Sequence, residues 1–279
     1  MFFKVCILAI GVLLGGPQQA FSATGSIRTC LEAIGRPPIK PQTFQAWLDQ
    51  GDPSAPALPQ TRIDLPVLVV GAGPAGLVQL KMFADYGVLA EGIERHGEIG
   101  GLWSRTNPLS PAYDSLMMDS SRFTSHFGTP GSKKEWPTYF DRETAFRFLQ
   151  SYATEHGLQQ KIRFGVSVKG ISKDPSGGWW VSSSDGSRRL YRAVVFAMGK
   201  YDRNKAFVPE DLRRQAEAAK LRWMHSSTYK NPKDSTLVGE RVLIVGGSNS
   251  AIDIATELAG VSQNVWLSVR STRWPVPNY

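Results

Sequence analysis

The sequence predicts an α/β protein built on two Rossmann-like dinucleotide-binding units, the second incomplete, with a small β-meander. Three observations carry that prediction. An unbroken apolar run, Val67–Val70, leads into Gly71-Ala-Gly-Pro-Ala-Gly76 and then into a helical stretch. A second run, Val242–Val245, leads into Gly246-Gly-Ser-Asn-Ser-Ala251 and another helix. Between them, Ile162–Ser184 alternates and turns at Asp174–Gly178, the pattern of a meander. A strand buried on both faces reads as a continuous apolar run. Strand, glycine turn, helix and strand in that order make a βαβ unit.

The elements follow in chain order. After the first glycine turn, Leu77–Tyr86 reads as a helix stopped by Gly87, and Val88–Ile93 as a strand ended by Glu94. Arg142–His156 is an amphipathic helix with Phe146, Leu149 and Ala153 on one face and Gly157 as its C-cap. Ala193–Ala197 is a further buried strand. In the second unit Ala251–Ala259 is the helix and Val265–Val269 the closing strand. Domain boundaries are set at 65–204 for the first nucleotide domain and 205–279 for a partial second one.

Residues 1–22 have the order of a secretory leader. Lys4 precedes the apolar run Val5–Leu14, Gly15-Gly16-Pro17 breaks it, and Ala20-Phe21-Ser22 supplies small residues for cleavage. The run is too short to span ~30 Å of hydrocarbon. The expectation is therefore export to the secretory pathway, cleavage near Ser22 and no membrane span in the mature chain. Residues 23–64 carry Pro37, Pro38, Pro41, Pro53, Pro56 and Pro59. They read as an extension packed on the first domain, with one short helix over Thr43–Gln50.

Composition removes several classes. Of 279 residues 42% are hydrophobic and 20% charged, which is globular rather than disordered. Two cysteines exclude a disulfide framework, a Cys-built zinc site and a C-x-x-C redox pair. Four scattered histidines argue against a metal site. The net charge of +8 is spread along the chain without a long basic run, so it reads as solvated faces rather than a nucleic-acid surface.

The first glycine turn has the context that makes G-x-G-x-x-G informative: a buried strand before it, a helix after it and an acid, Glu94, at the end of the next strand. Gly71 makes the tight turn, and Gly73 lets a pyrophosphate approach the backbone. Gly76 lets the helix pack on the sheet, the helix N-terminus faces the anion, and Pro74 and Ala75 lie in the turn at the site. Glu94 accepts from ribose hydroxyls and repels a 2′-phosphate, so this site takes FAD or NAD rather than NADP. Beyond it, Gly100-Gly101-Leu102-Trp103 fits either backbone laid against a flat ring that Trp103 covers, or a loop with a buried Trp. In the second turn Gly246, Ser248 and Ala251 hold the three glycine positions, with Asn249 and Ser250 between. Arg270, with Arg273 close by, stands where an NAD site carries an acid. Its bidentate grip suits a 2′-phosphate and favours NADPH; a solvated strand end is the other reading.

Taken together, Gly71–Gly76, Glu94-Arg95 and Ile99-Gly100-Gly101-Leu102-Trp103 resemble the FAD-binding start of flavin-containing monooxygenases. Four further stretches are similar: Tyr113-Asp-Ser-Leu116 leading to Ser120-Ser-Arg122, Val194–Tyr201, His225-Ser-Ser-Thr-Tyr229-Lys230, and Gly246–Ala251 followed by Asp253-Ile-Ala255. The resemblance spans about Val67 to Trp274. It departs where the family's F-x-G falls on Ala219-Lys220-Leu221, and where Met198 replaces a Thr. Family members continue well past Tyr279, so the resemblance implies a fragment, a truncated gene model or an unusually short member.

The resemblance implies an oxygenase that uses FAD and NADPH. Flavin reduced by NADPH adds O2 as a hydroperoxide and passes one oxygen atom to a soft nucleophile, an amine nitrogen or thioether sulfur. The family's Asn beside the flavin falls on Asp119, the implied catalytic position. A carboxylate donates only when protonated, which implies leakage of hydrogen peroxide. His225 is given no proton-transfer role. The alternatives are a related N-hydroxylase or Baeyer–Villiger flavoprotein, or an inactive secreted dinucleotide-binding protein.

Overall fold

The computed structural model describes residues 5–8, 64–125, 127, 136–201, 206–234 and 236–271. The helix expected over Thr43–Gln50, the Pro-rich extension up to residue 63, cleavage near Ser22 and the side chain of Arg273 lie outside them.

The first sheet is parallel throughout. Its strands are β2 (Val67–Val70), β3 (Ala90–Glu94), β4 (Ile162–Phe164) and β8 (Ala193–Phe196), in the order β4-β3-β2-β8. Every residue of β2 is buried, as its apolar run requires. Helix α1 (Pro74–Asp85) starts three residues earlier than the sequence reading, because Pro74 suits the first helical turn, where its missing N–H is not needed. β3 starts two residues later, since the Val88 N–H returns to the carbonyl of Phe83 to close α1. Helix α2 (Arg142–Glu155) buries Ala145, Phe148, Leu149, Tyr152 and Ala153 on the other side of the core. Gly157 ends it at φ +59°, as expected of a C-cap glycine.

One expectation is corrected here. Ile162–Phe164 is not part of the meander but the outer strand β4, parallel to β3. Gly92 of β3 makes room for it: a Cβ there would stand 2.9 Å from the Ile162 side chain and 3.1 Å from Leu80. The meander is antiparallel and consists of β5 (Val168–Lys173), β6 (Trp179–Ser183) and β7 (Arg188–Tyr191). It is tied to the first sheet through Glu91 of β3. That carboxylate receives the Tyr191 hydroxyl and faces Arg163 and Arg189 at 3.7 and 3.4 Å. Burial and this bond push the Tyr191 phenol up to about 12.

The second sheet is also parallel. It holds β1 (Val5–Leu8), β9 (Arg222–His225), β10 (Arg241–Val245) and β11 (Asn264–Ser268), in the order β11-β10-β1-β9. β1 lies inside the apolar run read as a leader, and it pairs along its length with β10 on one side and β9 on the other. Helix α4 (Asn249–Ala259) packs Ala251, Ile254 and Leu258 onto Val242 and Ile244 of β10, with Tyr229 and Leu237 in the same cluster. Helix α3 (Glu210–Ala218) precedes β9. No helix among the described residues is long and apolar enough to cross a membrane.

Candidate functional site

Both glycine turns stand at the carboxyl end of an inner parallel strand, the end at which open parallel sheets bind ligands. In the first, β2 is flanked by β3 and β8, which end level with it: Val70 pairs with both Ile93 and Phe196. The Gly71 N–H donates to the carbonyl of Ile93 at 2.8 Å, and the Ala197 N–H to that of Val70 at 2.8 Å.

The glycines divide their work. Gly71 has φ +105°, and a Cβ on it would lie 2.6 Å from the carbonyl oxygen of Ala197. A Cβ on Gly76 would run into the Gly71 carbonyl. These two are required by the fold itself. Gly73 differs: its φ of −75° is open to any residue, and the nearest atom to an added Cβ is the Gly101 Cα, 3.8 Å away. Two bare backbones, Gly73 and Gly101, therefore face each other across the start of α1. No side chain caps that helix, whereas Asp141 caps α2 by accepting from the Thr144 N–H at 2.7 Å. Free N–H groups at a helix start, beside backbone without side chains, are what a pyrophosphate needs.

This arrangement separates ligand binding from folding. We expect Gly73→Ala to keep the fold, with a cost below ~1 kcal/mol for the poorer cap. Flavin retained through purification should nonetheless fall at least ~10-fold, because the methyl group occupies the anion's approach. A variant that stays folded and binds flavin as the parent does would refute the assignment of Gly73.

Glu94 ends β3 buried, with both oxygens engaged: Oε2 accepts from the Ala72 N–H at 2.8 Å and Oε1 from the His96 N–H at 2.9 Å. It thereby fixes the glycine turn to the strand end and still has lone pairs for further donors. Arg95 is exposed, its Nε 3.0 Å from His96 Nε2. Gly101, Leu102 and Trp103 form a short 3-10 helix, entered by Gly100 at φ +109° with the Phe146 ring where its side chain would be. Trp103 is half-buried against the first core.

In the second turn Gly246 has φ +139°, and Ser248 is the N-cap of α4 without a side-chain bond to it. Pro74 and Ala75 in the first turn and Asn249 and Ser250 in the second occupy the opening residues of their helices. Arg270 is exposed past the end of β11, with no hydrogen bond or ion pair to another described residue.

The structure brings Asp119 to this second turn. Asn249, the first residue of α4, donates its side-chain amide to Asp119 Oδ2 at 2.6 Å. The loop 104–119 that carries Asp119 is held both by α2 and by the segment after β9. Arg142 of α2, buried, donates to the carbonyl of Ser104 at 2.8 Å. Lys230 donates to the carbonyls of Ser110 and Ala112 at 3.0 and 2.8 Å. The Asp114 N–H in turn donates to the Lys230 carbonyl at 2.8 Å. His225 turns inward: its Nδ1 accepts from the Ser227 N–H at 3.1 Å, and burial lowers its pKa, as suits a neutral structural imidazole. Sequence reasoning missed Arg142, Lys230 as a loop anchor, and Glu257, which receives the Tyr229 and Ser115 hydroxyls. The signal for Glu257 was present in the spacing Asn249, Asp253, Glu257, one stripe of a helix. Among the described residues no cluster of His, Cys, Asp and Glu is placed to hold a metal ion.

Comparison with known proteins agrees with this geometry. A model of flavin-binding monooxygenase-like proteins matches residues 65–278. Flavin-containing monooxygenase 5 of Homo sapiens is 30% identical over 219 residues, which are 75% of this chain and 40% of that protein. The chain thus spans less than half the length of the curated relatives it matches. Among solved structures, a variant of a flavin monooxygenase from Stenotrophomonas maltophilia superposes with a TM-score of 0.61 at 25% identity, over 75% of this chain and 58% of that one. OTEMO in complex with FAD and NADP shares the fold at a TM-score of 0.56 and 19% identity, over 75% of this chain and 39% of that one.

Proposed function

The chain belongs to the flavin-binding monooxygenase-like family, and from that premise we propose that it is an FAD- and NADPH-dependent monooxygenase acting on a small molecule. The observation that carries the proposal is the pairing of two uncapped helix starts, at Gly73 and Ser248, with Asp119 of the intervening loop bonded to Asn249 of the second. FAD fits the first turn: Gly73 and Gly101 leave backbone open to a pyrophosphate, and the buried Glu94 has acceptor capacity left for ribose hydroxyls. The second turn, with Ser248 at the helix start and Arg270 beyond β11, fits NADPH. Bound together, the two cofactors would supply the reducing equivalents and the activation of O2. The chain's own task is to hold the two sites in register. The substrate class we propose is an amine nitrogen or thioether sulfur, on the family resemblance.

The experiment is direct. Purified protein should be yellow, oxidise NADPH, and yield one oxygenated product from a tertiary amine or thioether. Colourless protein that ignores NADPH would favour the alternative of an inactive dinucleotide-binding remnant. Asp119 stands where the resembling family places an Asn and already accepts from Asn249, so product formed per NADPH should fall below one, the remainder appearing as hydrogen peroxide.

Nucleotide choice gives a sharper test. Arg270→Ala should weaken NADPH by ~1.5–3 kcal/mol, the worth of hydrogen bonds to a charged group, and leave NADH nearly unchanged. Equal losses for both nucleotides would mean that Arg270 does not read the 2′-phosphate.

A further inference from the structure

One face of α4 meets the loop 113–119 at three successive turns. Asn249 donates to Asp119, Asp253 accepts the Tyr113 hydroxyl, and Glu257 accepts both the Ser115 and the Tyr229 hydroxyls. The spacing of four residues puts all three on one stripe. Tyr113 and Tyr229 are buried, at 4% and 1% exposure, with ring centroids 6.1 Å apart. Each phenol therefore needs its carboxylate: a buried hydroxyl or carboxylate left alone costs about 1–3 kcal/mol or more.

These pairs do not form a solvated helix face, which two acids at i and i+4 would ordinarily suggest. Those of Tyr113, Ser115 and Asp119 tie the loop to the helix, while that of Tyr229 ties the helix to the segment after β9. Tyr113 belongs to the loop that leaves the Gly101–Trp103 turn, while Asp253 and Glu257 belong to the helix that opens at Ser248. Tyr229 and Lys230 follow β9: Tyr229 donates to Glu257 of the helix, and Lys230 donates to the loop carbonyls of Ser110 and Ala112. The acids and cations facing the pairs are Asp114, Asp119 and Lys230.

We propose that Asp253 and Glu257 are positioning residues: through Tyr113 and Ser115 they clamp the loop 113–119 to α4, with Tyr229 holding the Glu257 carboxylate in place, and so set the second nucleotide turn at a fixed register to the first. The hydride-positioning consequence rests on the function proposed above; the clamp itself does not. Burial raises the pKa of both phenols, so both stay protonated donors over any physiological pH. Glu257 is also raised, by burial first, so the clamp draws on its acceptor oxygens rather than on a freely solvated charge.

The test uses the full chain and the double variant Tyr113→Phe/Tyr229→Phe, which keeps ring packing and removes only the two hydroxyls. Amide exchange in residues 110–119 should speed up at least tenfold, while exchange in β2 and β3 is unchanged. Flavin content should match the parent. Anaerobic flavin reduction at saturating NADPH should slow at least tenfold, with little change in the NADPH concentration at half-saturation. Unchanged exchange in 110–119 would overturn the clamp. Faster exchange with unchanged flavin reduction would overturn its positioning role. Should the double variant fail to fold, Tyr113→Phe with Asp253→Asn, made singly and together, give a stability cycle; additive effects would overturn the pairing. A parent that never binds flavin would overturn the proposed function and the positioning role, and leave the exchange comparison to decide the clamp.

Discussion

Gly76→Ala is expected to abolish folding around the first sheet, not merely to alter the glycine turn. The added Cβ would run into the Gly71 carbonyl oxygen and stand 2.9 Å from its carbon. Relief requires one partner to move, and neither is free. Gly71 is held by its N–H bond to Ile93 and by the Ala197 carbonyl on its other side. The next residue, Ala72, is fixed through its N–H to Glu94 and through its carbonyl, which accepts from the Gly100 N–H at 3.0 Å. Gly76 itself lies in the first turn of α1, whose Leu77 and Leu80 are buried in the core. Shifting α1 outward would open that core, where loss of a large side chain's packing costs about 2–5 kcal/mol. A total above ~4 kcal/mol is a large part of the 5–15 kcal/mol that holds a domain together. The measurement is thermal unfolding beside Gly73→Ala. Gly76→Ala should express as aggregated or low-melting protein, while Gly73→Ala melts with the parent. Equal melting temperatures would mean that the turn is softer than its hydrogen bonds imply.

The glycine turns were legible because each glycine answers a demand that the local sequence states: a strand must end, a backbone must pass close, a helix must begin. What the sequence concealed was long-range. Ile162–Phe164 alternates like its successors, and only the vacancy above Gly92 assigns it to the first sheet. α3 escaped notice because Ala216 is its sole buried residue, so no apolar stripe marks it. β9 is four residues long and half-buried, with no alternation to read. The partners of Asp253 and Glu257 in the loop, Tyr113 and Ser115, lie 140 and 142 residues away in the chain, beyond the reach of any local pattern. Trp103 is ambiguous for a related reason: a large ring beside two glycines fits both a ligand cover and a core anchor, and its half-burial against the first core suits either.

The second large effect concerns the N-terminus. Val5–Leu8 reads as part of a leader's apolar run, yet it pairs as an inner strand, β1, between β9 and β10. Those two strands do not pair with each other, so both lose a ladder if β1 is absent. Each ladder bond is worth about 0.5–1.5 kcal/mol net, and an unpaired buried backbone group costs more. A chain starting at Ala23, as cleavage near Ser22 would leave it, should therefore lose several kcal/mol of stability around the second sheet. At ~2–4 °C per kcal/mol, the value for a compact unit of about 150–250 residues, the melting temperature of the chain should drop by roughly 10 °C or more. The loss should be local. β2, β3 and the first glycine turn share no ladder with β1, so flavin retention should persist while NADPH affinity falls. A synthetic peptide with the sequence of residues 4–10 added to the shortened chain should restore part of both, as a strand supplied in trans. The mass of protein recovered from an exporting host says which form exists there. If the shortened chain melts and binds NADPH like the full one, the gap between β9 and β10 closes without β1, and the strand is dispensable.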